Sequence, residues 1–217
     1  MMKARALILA ALFVTGAVNA ATVSVIVTDR EGKPVQDAVV VVVPAQASAS
    51  RRPLPTSATI TQEKMQFVPA LTLVGPGARL TFANNDIFEH HVRGSAAGLA
   101  QFTSGTTGGF ELRLDGKVDG KPSKTADATV DKPGAVLLGC HIHGSMRGHV
   151  YVSESPWAAK TTPEGQAVFD DLPDGNVQVR VWQADQLIDL PARTVKAGAT
   201  VVRESFQLQV VPRRRRS

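Results

Sequence analysis

An all-β fold is predicted by three features of this 217-residue sequence. Short Val-rich runs alternate apolar and polar residues, 18 Gly and 13 Pro spread along the chain punctuate them, and no stretch sustains the period of a long helix. With 43% apolar and 20% charged residues the chain can bury one or two cores. That composition excludes a disordered, collagenous or multi-span membrane protein.

The elements follow in order. MMKARALILAALFVTGAVNA has a basic start, an apolar run from Ala6 to Val18 and a small-residue cleavage site at Val18-Asn19-Ala20. It reads as a Sec-type signal peptide, too short for a membrane span. No Arg-Arg pair precedes the apolar run and no Cys follows the cleavage site, which disfavours twin-arginine export and a lipid anchor. The mature chain is expected to start at Ala21, in the periplasm. ATVSVIVTDREGKPVQDAVVVVVPA then alternates at Val23, Val25 and Val27, turns from Asp29 to Pro34 and returns through Val39 to Val43, a predicted hairpin. Residues 45–55, AQASASRRPLP, have linker composition. Further strands are predicted at Lys64 to Val68, Leu71 to Val74, Arg79 to Ala83, Phe110 to Leu114, Ala135 to Gly139 and Gly148 to Val152, each bounded by Gly, Pro, Asn or Asp. TSGTTGGF, Thr103 to Phe110, lacks a following Lys-Ser/Thr and reads as a loop, not a phosphate cradle. Residues 161–183 alternate again at Val177, Val179 and Val181 and read as the missing half of the first hairpin's sheet, with Trp182 as a core residue.

The net charge of +5 belongs to the two ends. Lys3, Arg5 and Arg213 to Arg216 account for six of the 24 basic residues, and the remaining 18 face 19 acidic ones. A groove for nucleic acid is therefore not expected. Membrane contact is expected at most peripherally, through the arginine tail, which also reads as a steering element for an acidic partner or as a solvated terminus.

Exported proteins normally carry disulfides, yet Cys140 is the single cysteine, and an unpaired thiol in an oxidising compartment is a liability. Alone it reads as a buried small hydrophobe. Its neighbours in GCHIHGSMRGHVYV, Gly139 to Val152, add a second reading. Cys140, His143 and Met146 fall at i, i+3 and i+6 just after an apolar strand, so a tight loop can gather them around one point. Thiolate, imidazole and thioether suit copper. Zinc prefers four strong ligands, and iron–sulfur clusters need several cysteines. A trigonal two-His, one-Cys site with a weak axial Met needs one further imidazole. His90 or His91, in FANNDIFEHHV, can supply it, and only one of two adjacent strand residues can face the metal.

Together these segments resemble the cupredoxins of the plastocyanin and amicyanin-like group. Phe82, Asn84, Asp86, His90 and Val92 match the family's F-x-N-x-D…H-x-V strand, and Cys140, His143, Met146, Gly148 and Val150 match its C-x-x-H-x-x-M-x-G-x-V loop. Phe67, Pro69 and the apolar strand up to Gly75 match its upstream pattern. The resemblance implies one type 1 copper ion with His90, Cys140 and His143 as equatorial ligands and Met146 as the axial one. Where the family carries Asn after the first His and Ser or Thr after the Cys, this chain has His91 and His141. The two are expected to lie close together and orient the loop, making potential or copper affinity pH-dependent; a second, catalytic copper on His91, His141 and His149 is the competing reading. Asp86 and Glu89 read as a solvated turn more readily than as an acid/base pair.

The stretches D-x-x-G-x-P-V-x-D-A-V, Asp29 to Val39, and G-x-A-x-F-x-x-L-P-x-G, Gly165 to Gly175, resemble the two halves of a carboxypeptidase-regulatory, transthyretin-like sandwich. A generic hairpin with Gly-rich turns is the alternative. The expected fold is a cupredoxin Greek-key β-sandwich inserted into a second small Ig/transthyretin-like β-sandwich. Expected bounds are residues 1–20 for the signal, 21–50 and 160–211 for the split sandwich, 56–154 for the cupredoxin domain and 212–217 for the basic tail. The combination resembles exported proteins labelled methylamine-utilisation proteins, although nothing in these residues recognises an amine. The resemblance implies a periplasmic carrier of single electrons, not an enzyme, whose partner is a periplasmic redox protein or cytochrome. The alternative is a copper-binding module for storage, delivery or sensing.

Overall fold

In this computed structural model, residues 20–46, 52–98 and 109–213 are described. The predicted signal up to residue 19, residues 47–51 of the linker, residues 99–108 with most of the Gly-rich loop, and residues 214–217 of the tail lie outside the described residues.

β-branched residues at alternate positions make the strands. β1 (Ala21–Thr28) buries Val23, Val25 and Val27 on one face, and β14 (Gly175–Trp182) buries Val177, Val179 and Val181. β2 (Val39–Pro44) differs, because Val39, Val40, Val41 and Val42 are all buried. Val40 and Val42 enter the core that holds β1, while Val39 and Val41 join a second cluster with Leu71 and Trp182. A strand apolar on both faces belongs in a sheet covered on both faces. The predicted hairpin is therefore not formed: β1 and β2 lie in different sheets, joined by a crossover that a Thr28–Pro34 bridge pins.

The remaining strands of this first unit are β12 (Trp157–Lys160), β13 (Gln166–Leu172), β15 (Arg193–Ala197) and β16 (Val202–Gln207). The two sheets run β13-β1-β16 and β12-β2-β14-β15. Residues 166–182, read as completing one sheet, are divided instead: β13 pairs with β1 and β14 with β2.

The nine strands between β2 and β12 form the other pair of sheets. They are β3 (Ser57–Glu63), β4 (Gln66–Val68), β5 (Leu71–Val74), β6 (Ala78–Asn84), β7 (His90–Ala96), β8 (Phe110–Leu114), β9 (Lys124–Val130), β10 (Gly134–Gly139) and β11 (Arg147–Val152). The sheets run β4-β3-β6-β9 and β5-β11-β10-β7-β8 around a core that includes Ile60, Phe67, Leu80, Phe82, Val92, Leu138 and Val150. The chain is thus all-β, one two-sheet sandwich inserted into another, with no helix among the described residues.

The two units share a face. Trp182 at the end of β14 packs on His149 and Tyr151 of β11, with ring centroids 5.5 and 5.3 Å away. Val39, Val41 and Leu71 complete the cluster. Arg180 pairs with Glu154, and Lys160 Nζ donates to the Leu71 carbonyl at 3.3 Å. Trp182→Ala is expected to remove about 3–5 kcal/mol of unfolding free energy, read from urea unfolding. Unchanged stability would show that this contact does not hold the units together.

Candidate metal centre

Two strand ends create the site. β7 begins at His90, β10 ends one residue before Cys140, and the two strands pair with Gly139 opposite Arg93. His90 and Cys140 therefore emerge at the same end of the inserted unit. Alternation along β7 separates the two histidines: His90 and Val92 are fully buried, while His91 lies partly exposed on the other face. Beyond Cys140 the chain doubles back, the Met146 N–H donating to the His143 carbonyl at 2.9 Å. Gly148 then lets β11 pass close to β4, since a Cβ there would sit 2.9 Å from that of Phe67.

Three donor atoms converge. Cys140 Sγ lies 3.8 Å from His90 Nδ1 and 3.6 Å from His143 Nδ1, and the two Nδ1 atoms are 3.2 Å apart. A point equidistant from the corners of that triangle lies about 2.1 Å from each, within about 0.2 Å of ordinary metal–imidazole and metal–thiolate bond lengths. Cys140 and His90 are buried and His143 is partly exposed. Met146 is buried in the same apolar cluster as Cys140. The Phe88 ring covers the imidazoles from outside, with centroids 5.1 Å from His90 and 5.3 Å from His143. Ile87, Phe88 and Ile142 leave apolar surface exposed.

The other face of His90 is tied down. His90 Nε2 is 2.8 Å from Asp86 Oδ2, which leaves Nδ1 directed at Cys140. Asp86 also accepts the N–H groups of Lys64 at 2.7 Å and Met65 at 3.0 Å. Lys64 and Met65 adopt φ of 51° and 58°. They form a left-handed turn, and the strand predicted from Lys64 begins only at Gln66. Burial pushes the Asp86 carboxyl up, but the Met65 N–H, the His90 ring and the Lys64 N–H outweigh it and hold it below its ordinary value. Asp86 is therefore a structural hub with a side chain only 10% exposed, not the solvated turn residue expected.

Asn84 organises the same loop. Fully buried, its Nδ2 donates to the carbonyls of Phe88, Leu114 and Asp115 at 2.8, 3.2 and 3.1 Å, and its Oδ1 accepts the Asp86 N–H at 2.9 Å. Gly116 is required beside it, because a Cβ there would lie 2.2 Å from the Ile87 carbonyl oxygen.

His91 and His141 lie near one another, as expected, with ring centroids 6.2 Å apart. Each faces a carboxylate: His91 Nε2 is 3.0 Å from Glu89 Oε1, and His141 Nε2 is 3.6 Å from Glu111 Oε1. Arg113 also holds Glu89, Nε donating at 2.6 Å; that contact, outweighing burial and helped by His91, keeps the carboxyl below its ordinary value. His149 packs on Trp182 instead, so the three histidines do not gather into a second centre.

Asp86→Ala is expected to weaken metal binding about 10- to 100-fold in a chelator competition titration. An unchanged affinity would mean that His90 is held without this carboxylate.

No protein-family model matches the chain, and no curated protein matches it in sequence. Similar solved structures include a reduced amicyanin variant, at 21% identity over 52% of this chain and 98% of that one, with a TM-score of 0.32. Another is a copper-containing nitrite reductase from Thermus scotoductus SA-01, at 22% identity over 51% of this chain and 25% of that one, with a TM-score of 0.36. At these scores neither likeness carries the functional argument, which rests on the geometry of the site.

Proposed function

We propose that this chain is a copper protein of the cupredoxin type that carries single electrons in the periplasm. The observation that carries this reading is the triangle of Cys140 Sγ, His90 Nδ1 and His143 Nδ1, closed to bonding radius by the fold itself. Its donors would fit copper: Cys140, His90 and His143 would hold the ion through one thiolate and two imidazoles, with the buried Met146 thioether as a further weak donor, where zinc would call for a fourth strong ligand. Residues 56–154 are then the copper domain, and residues 21–50 with 160–211 a carboxypeptidase-regulatory-like sandwich. The order of the sheets supports this division.

Bound copper would supply a one-electron couple. The protein's part is to hold the donors still. Asp86 locks His90, the 143–146 turn sets His143 against Cys140, and burial keeps water from the thiolate. A site built before the metal arrives changes little between oxidation states, which favours rapid transfer. The partly exposed His143, with the Phe88 ring against it and with the exposed Ile87 and Ile142 next to these two residues in sequence, is the exit for the electron. A periplasmic redox protein or cytochrome would dock there through a small, transient contact.

Titration with Cu(II) should give an intense visible thiolate-to-copper band that saturates at one equivalent and is absent in Cys140→Ala. Stoichiometric copper without that band would overturn the carrier reading. Met146→Leu should keep the band and raise the reduction potential by on the order of tens of millivolts, because a thioether stabilises Cu(II) over a purely apolar neighbour. Voltammetry that finds no reversible couple, with ready loss of Cu(I) to a chelator, would point to storage or delivery instead.

A further inference from the structure

A cleft of about 1180 Å³ opens beside the metal-binding loop and draws its walls from both units. The β1–β2 crossover contributes Lys33 and Val35, the inserted unit contributes Lys64, Phe67 and Arg147, and the C-terminal segment contributes Arg213. The cleft is distinct from the apolar rim around His143.

Its charges are unevenly answered. Asp29 accepts the N–H groups of Glu31 and Lys33 at 2.8 and 2.9 Å, Asp37 pairs with Lys160 at 3.3 Å, and Asp185 pairs with Arg213 at 2.6 Å. Every acidic group of the lining is thus engaged within the protein. Lys33 pairs with Glu31 at 2.7 Å. Neither the Lys64 ammonium nor the Arg147 guanidinium makes a hydrogen bond or ion pair among the described residues, and both line the cleft.

Two features favour a polypeptide over a small anion. The cleft is larger than a typical small-ligand pocket, and Met65 and Val211 expose apolar surface in its lining. β4, which contributes Gln66 and Phe67, is the edge strand of its sheet, where an extended segment can add. We propose that this cleft is a docking site for an extended acidic segment of a partner protein, with Lys64 and Arg147 as its anion-binding groups. The site holds the partner beside the metal-binding loop, and its recognition does not depend on copper.

The test is fluorescence anisotropy with a labelled nine-residue peptide alternating Glu and Val, added to the protein without metal. Saturable binding is expected, weakened about tenfold by Lys64→Glu and again by Arg147→Glu, and suppressed by salt. A chain ending at Arg213 should bind within a few-fold of the full chain. Ile142→Ser, on the apolar rim, should bind as the parent does. The proposal is overturned if both charge reversals leave affinity unchanged, or if removing the tail alone abolishes binding. It is equally overturned if inorganic phosphate displaces the peptide at equal concentration, which would mark a small-anion site. Each of these results is independent of whether the triangle at Cys140 binds copper.

Discussion

The hydrogen bond between Asp86 and His90 fixes which nitrogen of the imidazole faces Cys140, and the rest of the site is arranged around that choice. With Nε2 engaged, Nδ1 is left to face Cys140 and His143. Asp86 is itself immobilised by two N–H groups of the Lys64–Met65 turn, so the first ligand is anchored to the β3–β4 connection as well as to its own strand. Asn84 repeats the strategy one step away, spending its whole amide on the backbone of the loop and of the segment after β8. A site of this kind is only as rigid as its supports, and these range from the buried and part-buried hydrogen bonds of Asn84 and His90 to the exposed ones from the Lys64–Met65 turn.

The second unit extends this logic outward. β11 leaves the metal-binding loop at Arg147 and lays His149 and Tyr151 against Trp182 of β14. The strand that closes the loop is thereby clamped by a second sandwich, whose β2 is buried on both faces in order to share that contact. The cleft beside the loop lies at the margin of the same junction, with His149 and Gln183 in its lining.

The convergence of His90, Cys140 and His143 was legible because it is largely local. The i, i+3 spacing of Cys140 and His143 needs only one loop, and strand alternation assigns His90 to the inner face without knowledge of its partners. The supports were not legible. Asp86 depends on a left-handed turn 21 and 22 residues upstream, and nothing in the type of Lys64 or Met65 announces positive φ. Phe88 could have been suspected as an aromatic two residues before a ligand, but its position over both rings is tertiary. The first hairpin was misread for a physical reason: a run of five valines satisfies the template of a returning strand, while its burial on both faces, which assigns it to another sheet, arises from the inserted unit. β3 and β9 escaped notice because polar residues dominate them, β9 lying at a sheet edge with Val130 as its one buried residue.

The central claim is that the fold presents a thiolate and two imidazoles to one metal ion in a geometry set before binding. Copper K-edge X-ray absorption of the loaded protein, oxidised and then reduced, tests it most directly. The account predicts one sulfur and two nitrogens within about 2.3 Å in both states, with changes on reduction that are small against the bond lengths themselves. A copper ion surrounded by nitrogen and oxygen alone, or a sulfur contact present in one state and gone in the other, would contradict it.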